Sequence, residues 1–152
     1  MAESQSIRCL VVPVGGVQWL VPAAVVAEVT DPGTAVPEGA HDRLAGFADW
    51  RGRRIPLMRP DDDTPATHGG SRLLVLKALS GTLPVSHYGI VTQGIPRIAS
   101  VTMDTLAPGD AGVDDERLIP VLAAGESALL PRLDALEPEL ASALAAAGGV
   151  NP

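Results

Sequence analysis

The chain has little cysteine, few aromatic side chains and a shortage of positive charge. Its one cysteine, Cys9, rules out a disulfide within the chain, which suits a reducing cytosol. The apolar neighbours of Cys9 predict that it is a small buried side chain. Aromatic residues make up 3% of the 152 residues, so the core must be aliphatic and base stacking is not expected as a main function. The net charge of -7 argues against nucleic-acid binding, which needs a basic stripe.

Long apolar runs are absent as well. No stretch approaches the roughly 20 apolar residues that a membrane helix needs, and Met1 to Ser6 contain no basic region followed by an apolar run. We therefore expect a soluble, cytoplasmic protein without a standard secretion signal. At 152 residues the chain is long enough to bury a core without disulfides.

Motifs for catalysis and metal binding are also missing. His41, His68 and His87 lie far apart in the sequence, with no cysteine pair or i, i+4 partner to complete a metal site. The run Asp61-Asp62-Asp63 lacks the alternate spacing and the glycine of a calcium loop. No phosphate-binding glycine loop or nucleophile elbow is present. The sequence therefore predicts no metal, no cofactor and no enzymatic activity.

Short apolar segments separated by glycine and proline dominate the chain and predict a mainly β fold, as a barrel or a sandwich. The predicted strands are Ile7 to Val14, Val17 to Val21, Ala23 to Thr30, Ile55 to Met58, Arg72 to Leu79, Ser86 to Met103, Leu118 to Leu122 and Ala128 to Leu133. Pro56 is expected to confine its strand to a sheet edge or a bulge, and Gly94 to bend the longest segment. The segment from Asp134 to Ala147 predicts a C-terminal helix.

The segment from Asp42 to Pro60 combines the most signals. Leu44 and Phe47 lie three residues apart, which predicts a short corner helix that ends at Gly52 before an extended strand. Three arginines, at positions 51, 53 and 54, stand at this junction. They form either a solvated corner or a surface that binds a partner. A positive φ is expected at Gly52.

Two residues near this corner have two interpretations each. Glu28, a carboxylate in an apolar strand, is either an outward-facing residue on a half-buried strand or a contact on a protein-binding face. Trp50 is either a partly buried core ring or an exposed interface anchor.

Several of these segments together resemble the CheW-like domain of bacterial chemosensory arrays. The resemblance covers roughly residues 5–137. It is carried by the strand pair from Ile7 to Val21, Val26-Ala27-Glu28-Val29, Gly46, Trp50-Arg51-Gly52 followed by Ile55-Pro56-Leu57, and Tyr88-Gly89-Ile90-Val91 with Gly94-Ile95. The spacing from arginine-glycine to proline is its most specific part.

The resemblance implies two small five-stranded β-barrels packed around a hydrophobic seam, with the first strand belonging to the later half. It divides the chain into a CheW-like domain at residues 5–137 and a C-terminal helix and tail at residues 138–152. It also implies a non-catalytic adaptor that binds the cytoplasmic tips of chemoreceptors and the regulatory domain of a histidine kinase.

The resemblance also implies a partner-binding site. Arg51, Gly46 and Val26 stand where the family has positions linked to receptor or kinase contact, and Glu28 stands at an acidic contact position. An arginine beside a glycine corner can recognise a carboxylate or carbonyl groups with fixed geometry. The candidate site consists of six residues: Val26, Glu28, Gly46, Trp50, Arg51 and Gly52.

The chain departs from the family pattern at several positions. Asp49 and Trp50 replace the usual asparagine and leucine, Arg59-Pro60 replaces an aspartate-leucine pair, and Gln93 replaces an aspartate. These departures are similar to those of accessory CheW-type proteins that serve type IV pilus or twitching motility. A different class of function, a small-ligand-binding β-barrel, would require an apolar cavity with a few converging polar groups.

Overall fold

The computed structural model of the protein describes residues 6–14, 17–31, 43–59, 72–102, 104–109, 116–123 and 125–146. These residues form strands β1 (Ile7–Val14), β2 (Val17–Pro22), β3 (Val26–Thr30), β4 (Leu44–Trp50), β5 (Arg53–Met58), β6 (Arg72–Lys77), β7 (His87–Thr92), β8 (Arg97–Val101), β9 (Leu106–Pro108), β10 (Leu118–Ala123) and β11 (Glu126–Pro131), and helix α1 (Leu133–Ala146). The predicted mainly β fold with a C-terminal helix is confirmed.

The strands form two sheets. The five-stranded sheet, in the order β3-β6-β7-β5-β4, comes from one continuous part of the chain. The six-stranded sheet, in the order β8-β1-β2-β11-β10-β9, combines the first two strands with the last four. The first strand therefore belongs with the later half, as the resemblance implied.

Apolar side chains fill three regions. The largest cluster lies between the two sheets and α1, and its largest fully buried members are Trp19, Leu44, Met58, Leu74, Leu76, Tyr88, Ile90, Leu136, Leu140 and Leu144. A second cluster, built around Trp50, Leu57 and Leu73, lies on the other face of the five-stranded sheet. A third, which includes Cys9 and Val11, lies on the other face of the six-stranded sheet. Each sheet thus buries both faces, which suits strands without clear polar alternation.

The prediction of two closed five-stranded barrels needs correction. One sheet has six strands, and among the described residues neither sheet is closed by a ladder between its first and last strands. What the predicted architecture shares with the fold is two sheets packed around an apolar seam.

The predicted corner helix is wrong, because Leu44–Trp50 is strand β4. The pairing of β4 with β5 shifts register between Leu44 and Gly46, which marks a β-bulge. Because a bulge adds one residue, Leu44 and Phe47 point to the same side and both enter the seam cluster. Their spacing of three residues is therefore produced by a bulged strand and not by a helix.

Two smaller predictions also change. Pro56 lies neither on an edge strand nor at the bulge, since β5 lies between β4 and β7 and Pro56 pairs regularly with Phe47. The pairing of β5 with β7 is limited to Leu57 and Gly89. The predicted long strand from Ser86 to Met103 is two strands, β7 and β8, which belong to different sheets, and Gly94 lies between them. Met103 itself falls outside the described residues.

Candidate functional site

A two-residue hairpin joins β4 to β5. Trp50 pairs with Arg53, so Arg51 and Gly52 form the whole loop, with φ values of 50° and 74°. Two consecutive positive φ values are typical of a type I′ turn, which suits the twist of antiparallel strands. The predicted positive φ at Gly52 is confirmed. Arg51 holds a backbone conformation that residues other than glycine seldom adopt.

Arg51 reaches across the open side of the five-stranded sheet to Glu28. Its Nε and Nη2 atoms both donate to Oε1 of Glu28, at 3.1 Å and 2.7 Å. Glu28 lies on β3 and Arg51 follows β4, and these strands are the two edges of the sheet. In a flat sheet those edges would be about 19 Å apart, so the ion pair shows that the sheet curls strongly. The Arg51 side chain remains 68% exposed.

Trp50 lies beneath this ion pair. It is buried, and its ring packs against that of His87 with 4.9 Å between ring centres. The guanidinium carbon of Arg51 lies 5.0 Å from the centre of the Trp50 ring, within reach of a cation–π interaction. The ring therefore belongs to the core and also supports Arg51 from below. Within the described part of the chain, its Nε1 hydrogen has no acceptor.

Further cations surround Trp50. Lys77 pairs directly with His87 across β6 and β7, and Arg53 pairs with Trp50. Partial burial lowers the pKa of His87, and the positive charges of Arg53, Lys77 and Arg51 lower it further. These four residues, Arg51, Arg53, Lys77 and His87, are termed the cationic rim.

The remaining two candidate residues lie away from the rim. Gly46 is buried at the bulge in β4, with a φ of 146°, so it shapes the strand. Val26 is half-buried at the start of β3 and packs against the seam cluster. The structure therefore brings together Glu28, Trp50, Arg51 and Gly52 and leaves Gly46 and Val26 apart from them.

A buried carboxylate on α1, Glu137, was not predicted from the sequence. Glu137 is fully buried and accepts hydrogen bonds from the backbone nitrogens of Leu79 and Ser80 at 2.9 Å and 2.8 Å. The Ser80 hydroxyl donates to the same oxygen at 2.8 Å, and the Tyr88 hydroxyl donates to the other oxygen at 3.0 Å. Burial and the nearby carboxylate of Glu137 raise the pKa of Tyr88. This network fastens α1 to the five-stranded sheet.

A signal for Glu137 was present in the sequence. It stands four residues after Leu133 and three before Leu140, both of which are buried, so it occupies the apolar stripe of the helix. Two residues further on, Glu139 pairs with Arg43 and Arg117. Partial burial alone would raise the pKa of Glu139, but the hydrogen bonds and charges of Arg117 and Arg43 lower it overall.

The six-stranded sheet contains a small cavity. Its volume is about 140 Å³, and Val11, Ala99 and Ala128 are among its lining residues. Ligand pockets usually measure about 300–1,000 Å³. The two charged residues at its rim, Arg97 and Glu126, are paired with each other. The cavity therefore gives no support to the small-ligand interpretation.

The described residues contain no group of three or more His, Cys, Asp or Glu side chains placed to hold a metal ion. Among the same residues, no helix has the length and apolar character needed to cross a membrane. His41, His68 and the aspartates at positions 61–63 fall outside the described residues.

The chain matches one protein family and is similar to a solved structure of that family. The model of the CheW-like domain matches residues 8–137. Among solved structures, the chain is similar to the scaffolding protein TtCheW from Thermoanaerobacter tengcongensis, with a TM-score of 0.64 and 13% identity over 87% of this chain and 92% of that one. At that identity the likeness shows the fold alone. No curated protein sequence matches significantly.

Proposed function

The chain belongs to the CheW-like domain family, and from that membership we propose that it is a non-catalytic adaptor in bacterial chemosensory signalling. Its partners in this proposal are the cytoplasmic tip of a chemoreceptor and the regulatory domain of a histidine kinase, and its location is the cytoplasm. Residues 5–137 form the adaptor domain in this proposal, and residues 138–152 form the C-terminal helix and tail. Helix α1 runs across that boundary.

The observation that carries the proposal is the presentation of Arg51. A type I′ turn fixes its backbone, Trp50 supports its guanidinium, and Glu28 holds its Nε and Nη2 atoms. Both of those bonds end on Oε1 of Glu28. An arginine carries five N–H donors, so donors remain for a partner's carboxylate or carbonyl groups. Because the side chain is already held in place, binding a partner costs little further ordering.

The test is a pull-down of the full-length protein against receptor tips and kinase. We expect Arg51→Glu to abolish binding of at least one partner while the protein stays folded, because the new carboxylate repels what the arginine attracted. Circular dichroism and thermal unfolding check the fold. A matched control is Arg97→Glu, which breaks the corresponding ion pair in the six-stranded sheet.

A charge swap separates contact with a partner from support of the fold. The double variant Glu28→Arg with Arg51→Glu restores an ion pair of reversed polarity. If Arg51 contacts the partner, the swap leaves binding lost; if the pair only holds the sheet edges together, the swap restores binding. Unchanged binding in a folded Arg51→Glu protein would remove Arg51 from the site.

We propose further that the motility output is pilus-based. The support is the set of departures from the family pattern at Asp49, Trp50 and Gln93. Deletion of the gene should impair twitching and leave flagellar swimming unchanged. The reverse pattern would place the protein in a flagellar system.

A further inference from the structure

The cationic rim lies at one end of the five-stranded sheet. Leu57 of β5 pairs with Gly89 of the parallel strand β7, so moving two residues back along both strands places Ile55 beside His87. Arg53, two residues before Ile55, faces the same side of the sheet. Lys77 lies directly opposite His87. All three side chains therefore belong to the face that carries the Trp50 cluster.

The rim concentrates positive charge in an acidic protein. Lys77 and Arg53 are exposed, and Lys77 donates to the carbonyl of Ala24 at 3.2 Å. In the part of the chain that the structure describes, the side chain of Arg53 has no hydrogen-bond or ion-pair partner. Glu28 is bound to Arg51, so no carboxylate of the described residues pairs with Arg53 or Lys77.

The indole of Trp50 supplies a second and independent observation. Trp50 is more than nine-tenths buried at the centre of the rim, and its Nε1 hydrogen has no acceptor among the described residues. A buried donor without an acceptor is uncommon in proteins because it is costly. Because Nε1 is itself shielded from the surface, an acceptor that entered at the rim would reach this donor only after the neighbouring side chains moved aside.

We propose that the cationic rim binds an acidic peptide segment of a partner protein through its side-chain carboxylates. Carboxylates match both the charge of Arg53 and Lys77 and the unsatisfied donor of Trp50. A nucleic acid is a poorer fit, because Trp50, the aromatic residue at the rim, is buried and cannot stack on a base.

The chain's own acidic run, residues 61–63, is a poorer occupant. It follows β5 and precedes β6, so it connects to the sheet at Met58 and Arg72. The rim lies at the other ends of the same two strands, at Arg53 and Lys77. Each of these strands has six residues, which places the rim about 17 Å from the points where the acidic run is attached.

The proposal is tested with a synthetic ligand, so it needs neither receptor nor kinase. Binding of a fluorescein-labelled hexaglutamate peptide to the full-length protein is measured by fluorescence anisotropy at low ionic strength, with hexaglutamine as the uncharged control. Arg53→Gln and Lys77→Gln should each weaken binding about threefold, and the double variant about tenfold. Arg8→Gln, which removes an exposed cation from β1 of the other sheet, should leave the affinity unchanged.

Two spectroscopic measurements sharpen the result. The indole N–H signal of Trp50 should shift when hexaglutamate binds, while that of Trp19, buried in the seam, should not. Among the described residues, the ionisable groups that act on His87 are Arg53, Lys77 and Arg51, and its other neighbours include Trp50 and Ser86. All of the ionisable ones are cationic, so a bound carboxylate should raise the pKa of His87. Affinity should then increase as the pH falls from about 7.5 to 5.5, and His87→Gln should remove the increase.

Several results would overturn the proposal. These are no binding of hexaglutamate, equal binding of hexaglutamine, an equal loss in Arg8→Gln and Arg53→Gln, or binding only of a single-stranded oligonucleotide. If the peptide fails while receptor and kinase still bind in the Arg51 experiment, the adaptor proposal stands and the rim proposal falls. If hexaglutamate binds while receptor and kinase do not bind even the unmodified protein, the rim proposal stands and the adaptor proposal falls.

Discussion

Each sheet contains an arginine paired with a glutamate from a distant strand: Arg51 with Glu28 joins the two edges of the five-stranded sheet, and Arg97 with Glu126 joins edge strand β8 to interior strand β11 of the six-stranded sheet. What lies beneath each pair differs. Inside the five-stranded sheet the packing is so close that a Cβ on Gly89 would lie 2.7 Å from a methyl group of Leu73. Inside the six-stranded sheet a cavity of about 140 Å³ remains.

This difference in packing indicates why an arginine–glutamate pair can serve different purposes in the two sheets. Arg51 rests on a buried tryptophan and lies in a tight two-residue turn, so its backbone position is fixed. Arg97 lies on edge strand β8 and lines the cavity, so it is packed less closely from below. A recognition residue needs a fixed position, because ordering it at the moment of binding reduces affinity. The comparison therefore favours the five-stranded sheet as the binding side.

The largest expected effect tests how firmly α1 is fastened to the five-stranded sheet. Glu137→Ala leaves the Tyr88 hydroxyl and the backbone nitrogens of Leu79 and Ser80 without their acceptor, so we expect a loss of about 2–4 kcal/mol in urea unfolding. In hydrogen exchange, β6 and β7 should lose protection before β10 and β11. Glu137→Gln keeps one oxygen and should lose about half as much. Wild-type stability in Glu137→Ala would contradict this account.

The second test compares the two interiors directly. Gly89→Ala should cost about 1–3 kcal/mol, because the new methyl overlaps Leu73 and Leu57. Ala99→Val adds two methyl groups beside the cavity. We expect it to lower stability by no more than about 0.5 kcal/mol, or to increase it. Thermal unfolding of both variants measures the contrast. If the two changes had equal effects, the difference in packing between the sheets would be without energetic consequence.

The third test concerns a feature that the sheets share. Gly52 and Gly125 end hairpin turns with φ values of 74° and 84°, and a Cβ on either would have nothing within 4 Å. Valine at either position should therefore cost about 1–2 kcal/mol through backbone strain alone. The two losses should agree in chemical denaturation. A Gly52→Val protein as stable as the parent would show that the turn tolerates side chains.

The smallest expected effect concerns Glu139, which links the two sheets through Arg43 and Arg117. Its pKa in the folded protein lies below the ordinary value of 4.5, so its contribution is complete above that pH and declines as the pH falls through the lowered pKa. Since the side chain is partly exposed, we expect about 0.5 kcal/mol or less. Melting temperature measured from about pH 6 to pH 3 should fall less steeply in Glu139→Gln. An identical pH profile in the two proteins would exclude a contribution of the Glu139 ion pairs to stability.

Local patterns predicted the local structure well. The hairpin from Ile7 to Pro22 and the helix at Leu133–Ala146 follow from apolar runs that end at glycine or proline. The prediction of a helix at Leu44 was wrong, because a β-bulge gives the same three-residue spacing of apolar residues as a helix. Nothing in a single sequence separates the two when both faces of the strand are buried.

The sequence identified individual residues of the candidate site but not how they are arranged in space. Glu28 and Arg51 were both identified, yet their contact depends on the curl of a sheet in which β3 and β4 are opposite edges. Strand order of this kind is set by packing over the whole chain. Lys77 and His87 were not identified as part of the site, because they join it only through the pairing of β6 with β7.

The order of the strands along the chain has a consequence for biosynthesis. The five-stranded sheet is encoded without interruption from β3 to β7, so it can assemble as soon as that segment leaves the ribosome. The six-stranded sheet cannot, since β1 and β2 must wait for β8 and β11. Contacts between such distant segments form slowly because a long loop must close first. The five-stranded sheet should therefore fold first and serve as the template on which the strands from the two ends of the chain meet.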